Sequence, residues 1–196
     1  MSGTTVVALA NQKGGVGKST TAVNLAASLA LAGHRILLID LDPQGNATSG
    51  LGVERGSIET SIYDVLLKES SLEDAVEPTS VRNLFVVPAT IDLAGAEIEL
   101  VSVLSRETRL KTAIGSTGDE YDFVFIDCPP SLGLLTVNAL TAADEVIIPI
   151  QCEYYALEGL SQLLRNIQLV TGSLNPELKV GGVVLTMYDG RTKLSK

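Results

Sequence analysis

The sequence predicts an α/β domain of the doubly wound type, with a mostly parallel sheet and helices on both of its faces. Three observations predict this fold. Apolar runs recur without polar alternation, which is typical of strands that are covered on both faces. Segments with a helical pattern separate these runs. A glycine-rich loop at residues 13–20 joins the first strand to the first helix, as in domains that bind phosphate groups.

The predicted elements follow these patterns in chain order. Strands are predicted at residues 6–10, 35–40, 84–87, 123–127, 145–150 and 179–186. Helices are predicted at 20–32, 57–68, 93–113 (as two helices), 131–143 and 154–171, with a polar loop at 50–56. The strand at 179–186 is predicted to be an inner strand, which a further helix normally covers. We therefore expect residues 1–196 to form one P-loop domain from which C-terminal helices are missing.

Composition limits the classes of protein to which this chain can belong. Of the 196 residues, 45% are hydrophobic, only 4% are aromatic and none is Trp, so one large core must be built from aliphatic side chains. The net charge of −9 argues against a basic surface over the whole chain, although a local basic patch is compatible with it. No stretch is long enough to span a bilayer and the N-terminus lacks a secretory signal, so a cytoplasmic protein is predicted.

The loop between the first strand and the first helix has the composition of a phosphate-binding loop. Its glycines allow sharp turns that bring backbone N–H groups close to an oxyanion, and the helix N-terminus adds a partial positive charge. In this pattern Lys18 reaches the β- and γ-phosphates, and the Ser19 hydroxyl binds Mg²⁺. The residues predicted to contact the nucleotide are Gly14, Gly15, Val16, Gly17, Lys18, Ser19 and Thr20.

This loop departs from the usual pattern at two positions. Gln12 stands where the first glycine is expected, and an additional lysine, Lys13, precedes the glycines. A second cation at a triphosphate can neutralise charge during phosphoryl transfer. If Lys13 cannot bend back to the nucleotide of its own subunit, it can serve that of a partner, as an arginine finger does. The extra lysine therefore suggests a dimer with two nucleotides sandwiched between its subunits.

Acidic residues end two of the predicted strands. Asp40 and Asp42 point to the same side by strand periodicity, and Asp127 closes the apolar run at 123–127 in a Walker B pattern. Ligands lie beyond the carboxyl ends of the strands in open α/β sheets, so these carboxylates are predicted to meet the phosphate loop. We expect Asp42 to orient or activate the attacking water. Asp40 is expected to bind the hydration shell of the magnesium ion, and Asp127 to hold the ion directly or through water.

Several motifs taken together resemble the ParA/MinD family of ATPases, which have a deviant Walker A box. The motifs are the loop at 13–19 and the runs at 40–48, 127–131, 153–159 and 186–192, which are similar to those of the chromosomal ParA (Soj) branch. By position in these motifs, Lys13 is the lysine that crosses the dimer interface, Lys18 the phosphate lysine and Asp42 the hydrolytic aspartate. Ser19 is the magnesium ligand, and Asp127 is the Walker B aspartate.

The resemblance also implies an activity and its partners. It implies an ATPase that uses ATP/ADP and Mg²⁺, forms a homodimer on ATP binding and then binds DNA without sequence preference. A ParB-type, centromere-binding protein is the implied partner that stimulates hydrolysis. The implied location is cytoplasmic, on the nucleoid in the ATP-bound state, with no stable membrane association.

Two alternatives on the same scaffold remain open. A MinD-type positioning ATPase that regulates cell division requires a C-terminal amphipathic helix for the membrane surface, and this sequence shows none. An iron–sulfur carrier requires suitably placed cysteines, whereas Cys128 adjoins the Walker B aspartate and Cys152 follows a strand. The runs at 42–46 and 153–159 favour the partitioning branch over the MinD-type alternative, and neither cysteine has the setting of a bridging ligand.

Overall fold

The computed structural model describes residues 3–67, 70–152, 156–189 and 191, and it describes residues 156–158 by their backbone alone. Within these residues, seven strands form one sheet in the order β3-β4-β2-β5-β1-β6-β7. The strands are β1 (Thr5–Leu9), β2 (Ile36–Asp40), β3 (Glu77–Pro78), β4 (Leu84–Val87), β5 (Phe123–Asp127), β6 (Glu145–Gln151) and β7 (Lys179–Thr186). Only the pairing of β3 with β4 is antiparallel. The predicted doubly wound, mostly parallel sheet is confirmed.

Helices flank this sheet on both sides. In chain order they are α1 (Lys18–Leu31), α2 (Asn46–Gly50), α3 (Ile62–Leu67), α4 (Leu93–Glu99), α5 (Arg109–Gly115), α6 (Leu134–Ala142) and α7 (Ala156–Ser173). Short 3-10 turns lie at Arg55–Ser57, Glu73–Ala75 and Leu100–Ser102. In the described part of the chain, no helix has the length and apolarity needed to cross a membrane.

The two faces of the sheet are packed with side chains of different size. One face contacts α1 and α2, where the buried apolar helix residues are the small Ala22, Ala26, Ala30 and Ala47. The other face contacts α3 to α7 through larger side chains, such as those of Leu66, Leu93, Leu110, Leu140 and Leu163. The alanines of α1 recur every four residues and so share one side of the helix. That spacing lets the helix backbone approach the sheet closely.

The register of the three central strands brings their carboxyl ends together. Leu9 at the end of β1 is paired with Asp127 of β5, and Asp127 is paired with Asp40 of β2. Backbone bonds continue past the strands: the N–H of Leu41 donates to the carbonyl of Asp127 at 2.9 Å, and that of Cys128 donates to Leu9 at 3.1 Å. The segments that follow these strands therefore leave the sheet side by side, where ligands bind in sheets of this kind.

Several predicted elements differ from the observed ones. The helix predicted at 57–68 is limited in the described residues to Ile62–Leu67, and α2, which contains Asn46 and Gly50, was not predicted. The inner position predicted for the strand at 179–186 is wrong for the described part of the chain. There β7 pairs with β6 alone, and most of its side chains are exposed. An apolar run indicates a strand, but it does not reveal how many neighbours the strand has.

Candidate functional site

A cleft of about 610 Å³ opens at the carboxyl ends of the central strands. This volume lies in the range of small-molecule and cofactor sites. The predicted site residues that line it are Gly14, Gly15, Gly17, Lys18, Ser19, Thr20 and Asp42. Lining residues that were not predicted to belong to the site are Val23, Asn24, Gln44, Asn46, Gly50, Pro130 and Met187. Four of these, Gln44, Asn46, Pro130 and Met187, lie within the motifs at 40–48, 127–131 and 186–192. The cleft thus combines the loop after β1, the turn after β2 and the start of the loop after β5.

The loop after β1 turns through two glycines with positive φ, 73° at Gly15 and 86° at Gly17. A side chain is strained in this region, and a Cβ on Gly17 would lie 3.4 Å from the Thr186 methyl group. Helix α1 starts at Lys18, and its first hydrogen bond runs from the N–H of Thr21 to the carbonyl of Gly17 at 2.9 Å. The first N–H groups of a helix have no intrahelical partner, and the first residues of α1, Lys18, Ser19 and Thr20, line the cleft, so their N–H groups are available to phosphate oxygens there.

Val16 does not line the cleft, because its side chain is buried. Its carbonyl accepts a hydrogen bond of 2.8 Å from the Thr186 hydroxyl at the end of β7. The predicted nucleotide contact of Val16 can therefore come from its backbone, while the β7 hydroxyl holds the loop in shape.

Two lysines are linked through the loop backbone. The ammonium group of Lys18, which is 6% exposed, donates to the carbonyl of Lys13 at 3.2 Å. Burial lowers the pKa of Lys18, whereas the charge of Asp127 and, more weakly, that of Asp42 raise it. The N–H of Lys13 donates to the side chain of Asn11 at 3.0 Å, and the Asn11 amide donates to the carbonyl of Pro149 in β6 at 2.7 Å. The backbone of Lys13 is thus tied to the sheet, and its side chain does not line the cleft.

Asp127 is a buried acid beside this loop. Among the described residues, neither of its carboxylate oxygens has a hydrogen-bond partner. Burial raises the pKa of Asp127 to about 7, and the neighbouring Asp40 adds to the increase. The Ser19 hydroxyl and the Lys18 ammonium lie near enough to lower this pKa, although neither forms a hydrogen bond with the carboxylate. A buried carboxylate without partners is costly, and a divalent cation would remove that cost.

The donor set around Asp127 fits Mg²⁺. The described residues contain no group of three or more His, Cys, Asp or Glu side chains that could hold a metal ion by themselves. Mg²⁺ is usually bound by one or two carboxylates together with phosphate oxygens and water, so it does not require such a group. The orphaned oxygens of Asp127 and the hydroxyl of Ser19 can therefore serve as its protein ligands.

Asp40 differs from Asp127 because both of its oxygens accept hydrogen bonds. Oδ1 accepts from the N–H of Asp42 at 3.1 Å, and Oδ2 accepts from the N–H and the hydroxyl of Thr48 at 2.8 and 2.7 Å. Burial raises the pKa of Asp40, and the bonds from Thr48 oppose the increase. These contacts favour a structural role for Asp40 over the predicted role in the magnesium hydration shell, which stays a prediction.

Asp42 lines the cleft at the start of a tight turn and is 7% exposed. Its side chain accepts a hydrogen bond from the N–H of Gln44 at 2.9 Å, and its carbonyl accepts from the N–H of Gly45 at 2.8 Å. The guanidinium of Arg55 donates to the carbonyl of Gln44. Hydrogen bonds within the turn and the bond from Arg55 therefore fix its conformation, so the Asp42 carboxylate has a defined position in the cleft.

The two cysteines do not line the cleft. Cys128 is fully buried in the core, and burial raises the pKa of its thiol. Cys152 is half-buried after β6. A bridging cluster needs cysteines that reach a second subunit, and the burial of Cys128 prevents that. Residues 153–155 of the motif at 153–159, and residues 190 and 192 of the motif at 186–192, lie outside the described residues.

Comparisons with known proteins agree with this geometry. A family model described as an AAA domain matches residues 4–180. The sporulation initiation inhibitor protein Soj of Bacillus subtilis is 60% identical over 96% of this chain and 75% of its own length. The chromosome partitioning protein ParA of Myxococcus xanthus is 58% identical over 97% of this chain and 67% of its own length.

Among solved structures, one similar protein is the cobyrinic acid a,c-diamide synthase of Mycobacterium smegmatis, with bound ATP analogue and magnesium. It superposes with a TM-score of 0.94 at 47% identity and covers 98% of this chain and 78% of its own. In that similar protein an ATP analogue and magnesium are bound together.

Proposed function

The chain belongs to the ParA/MinD family of ATPases with a deviant Walker A box, and from this premise we propose that it is a partitioning ATPase of the chromosomal ParA type. It binds ATP or ADP with Mg²⁺ and hydrolyses ATP to ADP and phosphate. One observation carries the proposal: the buried carboxylate of Asp127, which has no hydrogen-bond partner in the part of the chain that the structure describes, lies beside Lys18 at a glycine-rich helix N-terminus. A triphosphate with its divalent ion satisfies all three groups at once.

Each group has a task that its position supports. When bound, Mg²⁺ neutralises charge on the β- and γ-phosphate oxygens. Lys18 and the loop N–H groups hold the same oxygens, while Ser19 and Asp127 hold the ion. Asp42 faces the cleft from a fixed turn and accepts a hydrogen bond from the attacking water. This arrangement supplies the positioning and charge neutralisation that phosphoryl transfer requires.

The finer part of the proposal concerns assembly. ATP binding joins two copies, and Lys13 of each copy reaches the nucleotide of the other. Two features support this arrangement: Lys13 does not line the cleft of its own chain, and the exposed Gly14 and Gly15 present backbone without side chains to a second copy. The proposed ATP-bound dimer binds DNA without sequence preference on the nucleoid, and a ParB-type protein stimulates its hydrolysis. Because the chain carries −9 net charge, DNA binding requires a local basic patch.

Sedimentation and phosphate release test the proposal together. We expect Mg²⁺-dependent ATP hydrolysis, which EDTA abolishes, and an ATP-dependent shift from monomer to dimer. Asp42→Ala is expected to bind ATP, lose hydrolysis and remain dimeric. Asp74→Asn removes a carboxylate from an exposed position and is the matched control. The proposal fails if Asp42→Ala hydrolyses ATP at the parental rate, or if no nucleotide changes the sedimentation of either protein.

A binding experiment separates the partitioning branch from the MinD-type alternative. Retardation of a random-sequence DNA fragment should require ATP and should disappear as salt is raised, because counterion release dominates such binding. Flotation with vesicles that contain anionic lipid should leave the protein in the unbound fraction. ATP-dependent flotation without DNA retardation would favour the membrane-associated alternative.

A further inference from the structure

We propose that Thr48 is a positioning residue for hydrolysis, which fixes the orientation of Asp42 through the buried carboxylate of Asp40. The inference rests on the proposed function, because it takes Asp42 as the group that orients the attacking water. It assigns a task to two residues, Asp40 and Thr48, that do not line the cleft.

The Thr48 hydroxyl lies at the centre of a buried hydrogen-bond chain. It donates to Oδ2 of Asp40 at 2.7 Å and accepts from the N–H of Ala89 at 3.0 Å. Oδ1 of Asp40 accepts in turn from the N–H of Asp42 at 3.1 Å. Asp40 and Thr48 are 0% exposed and Ala89 is 1% exposed, so water cannot replace any of these partners. This series of hydrogen bonds therefore connects the loop after β4 to Asp42, which carries the hydrolytic carboxylate.

The carboxylate of Asp40 has hydrogen-bond donors close to it, whereas that of Asp127 has no hydrogen-bond partner among the described residues. Three donors point at Asp40, one from Asp42 and two from Thr48. Because Oδ1 of Asp40 accepts from the N–H of Asp42, the Asp40 carboxylate orients the peptide group of Asp42. The orientation of this peptide group sets the direction in which the Asp42 side chain leaves the backbone. The outer side of the same turn is held at an exposed position by Arg55. The buried contact is the stronger constraint, because water does not compete with it.

Only some side chains can replace Thr48. Its hydroxyl acts as donor and acceptor at once, so serine preserves both bonds. Valine has the same shape but leaves the N–H of Ala89 unpaired and removes one donor from Asp40. Thr141 offers a matched control: it is a buried threonine in α6, and its hydroxyl has no hydrogen-bond partner among the described residues. Thr141→Val makes the same chemical change without breaking a bond.

Hydrogen exchange on the nucleotide-free protein tests the positioning directly. In Thr48→Val, the amides of Gln44 and Gly45 should exchange about tenfold faster than in the parent, because the turn loses its buried anchor. Thr141→Val and Thr48→Ser should exchange like the parent at these two amides. Equal exchange in Thr48→Val and the parent would overturn the inference, whether or not the protein hydrolyses ATP.

Kinetics on the loaded protein give a second, independent measurement. For Thr48→Val we expect kcat to fall roughly 10–100-fold with a KM within about threefold of the parent, because displacement by ~1 Å can cost two orders of magnitude. Thr48→Ser should restore most of kcat. A Thr48→Val enzyme that is destabilised but has parental kcat per folded molecule would show a merely structural role. If Asp42→Ala also kept the parental kcat, the proposed function would fail, while the exchange result would still report on Thr48.

Discussion

The buried carboxylate of Asp127 predicts how the stability of the nucleotide-free protein depends on pH. Its folded-state pKa is about 7, against a value of 3.8 for an exposed aspartate. A raised pKa means that the folded state binds a proton more tightly than the unfolded state. The stabilising effect of that proton is complete below pH 3.8 and is lost as the pH rises through about 7. Stability should therefore fall across this window and level off above it, as far as this group is concerned.

The size of this loss of stability follows from the increase in the pKa of Asp127. One extra bound proton changes the free energy of unfolding by about 1.4 kcal/mol for each pH unit inside the window. Between pH 5 and pH 8 the expected loss is roughly 2–3 kcal/mol, because the slope flattens near pH 7. Asp127→Asn cannot ionise and should lack this contribution, so its stability should exceed that of the parent increasingly as pH rises. Asp40 adds to the shift, so the effect belongs to the pair of carboxylates.

Urea unfolding measures the effect without nucleotide. The parent, Asp127→Asn and the exposed control Asp74→Asn are unfolded in EDTA at pH 5, 6, 7 and 8. The difference in unfolding free energy between Asp127→Asn and the parent should grow with pH, whereas the curve for Asp74→Asn should not separate from the parent in this way. Parallel curves for the parent and Asp127→Asn would refute the reasoning, because they would show that the buried carboxyl does not retain its proton.

Three further substitutions test the loop and the core. Lys13→Ala should keep ATP binding but lose most of the hydrolysis, measured by fluorescent-nucleotide titration and phosphate release; parental turnover would remove Lys13 from the mechanism. Gly17→Ala should destabilise the loop by about 1–2 kcal/mol, because φ is 86° at this position and an alanine side chain is strained there. The strained loop should bind ATP more weakly. An unchanged affinity for ATP would show that the substitution does not strain the loop. Leu93→Ala should lower the free energy of unfolding by about 2–5 kcal/mol, because Leu93 is 0% exposed. Leu31→Ala, at a position that is 78% exposed, should change the free energy of unfolding little. Equal losses in the two variants would contradict the assignment of Leu93 to the core.

Much of the architecture could be predicted from local pattern. The strands at 84–87 and 123–127 match the observed bounds because their apolar residues form uninterrupted runs with clear ends. The loop at 13–20 could be recognised because its glycines and lysines lie between a strand and a helix. By contrast, α2 was missed, since a five-residue helix that contains asparagine and glycine has no apolar period to detect.

The site was predicted less completely than the fold. Asp40 and Asp127 both end buried strands, and the sequence gives them similar settings. Their difference arises because Thr48, eight residues further along, folds back onto Asp40, while no described residue does the same for Asp127. A one-dimensional pattern contains no information about that return contact. Met187, which comes 170 residues after Gly17 in the chain, joined the cleft for the same reason.

The sequence by itself determined which chemical groups are available and the order in which strands and helices present them, because hydrophobic period and turn residues act over a few neighbours. Only the tertiary structure decided which carboxylate is held by hydrogen bonds and which has no partner among the residues that the structure describes. That decision depends on strand register and on contacts between segments far apart in the chain. In this protein the register sets Asp40 beside Asp127, and packing around the pair then gives the two acids different surroundings.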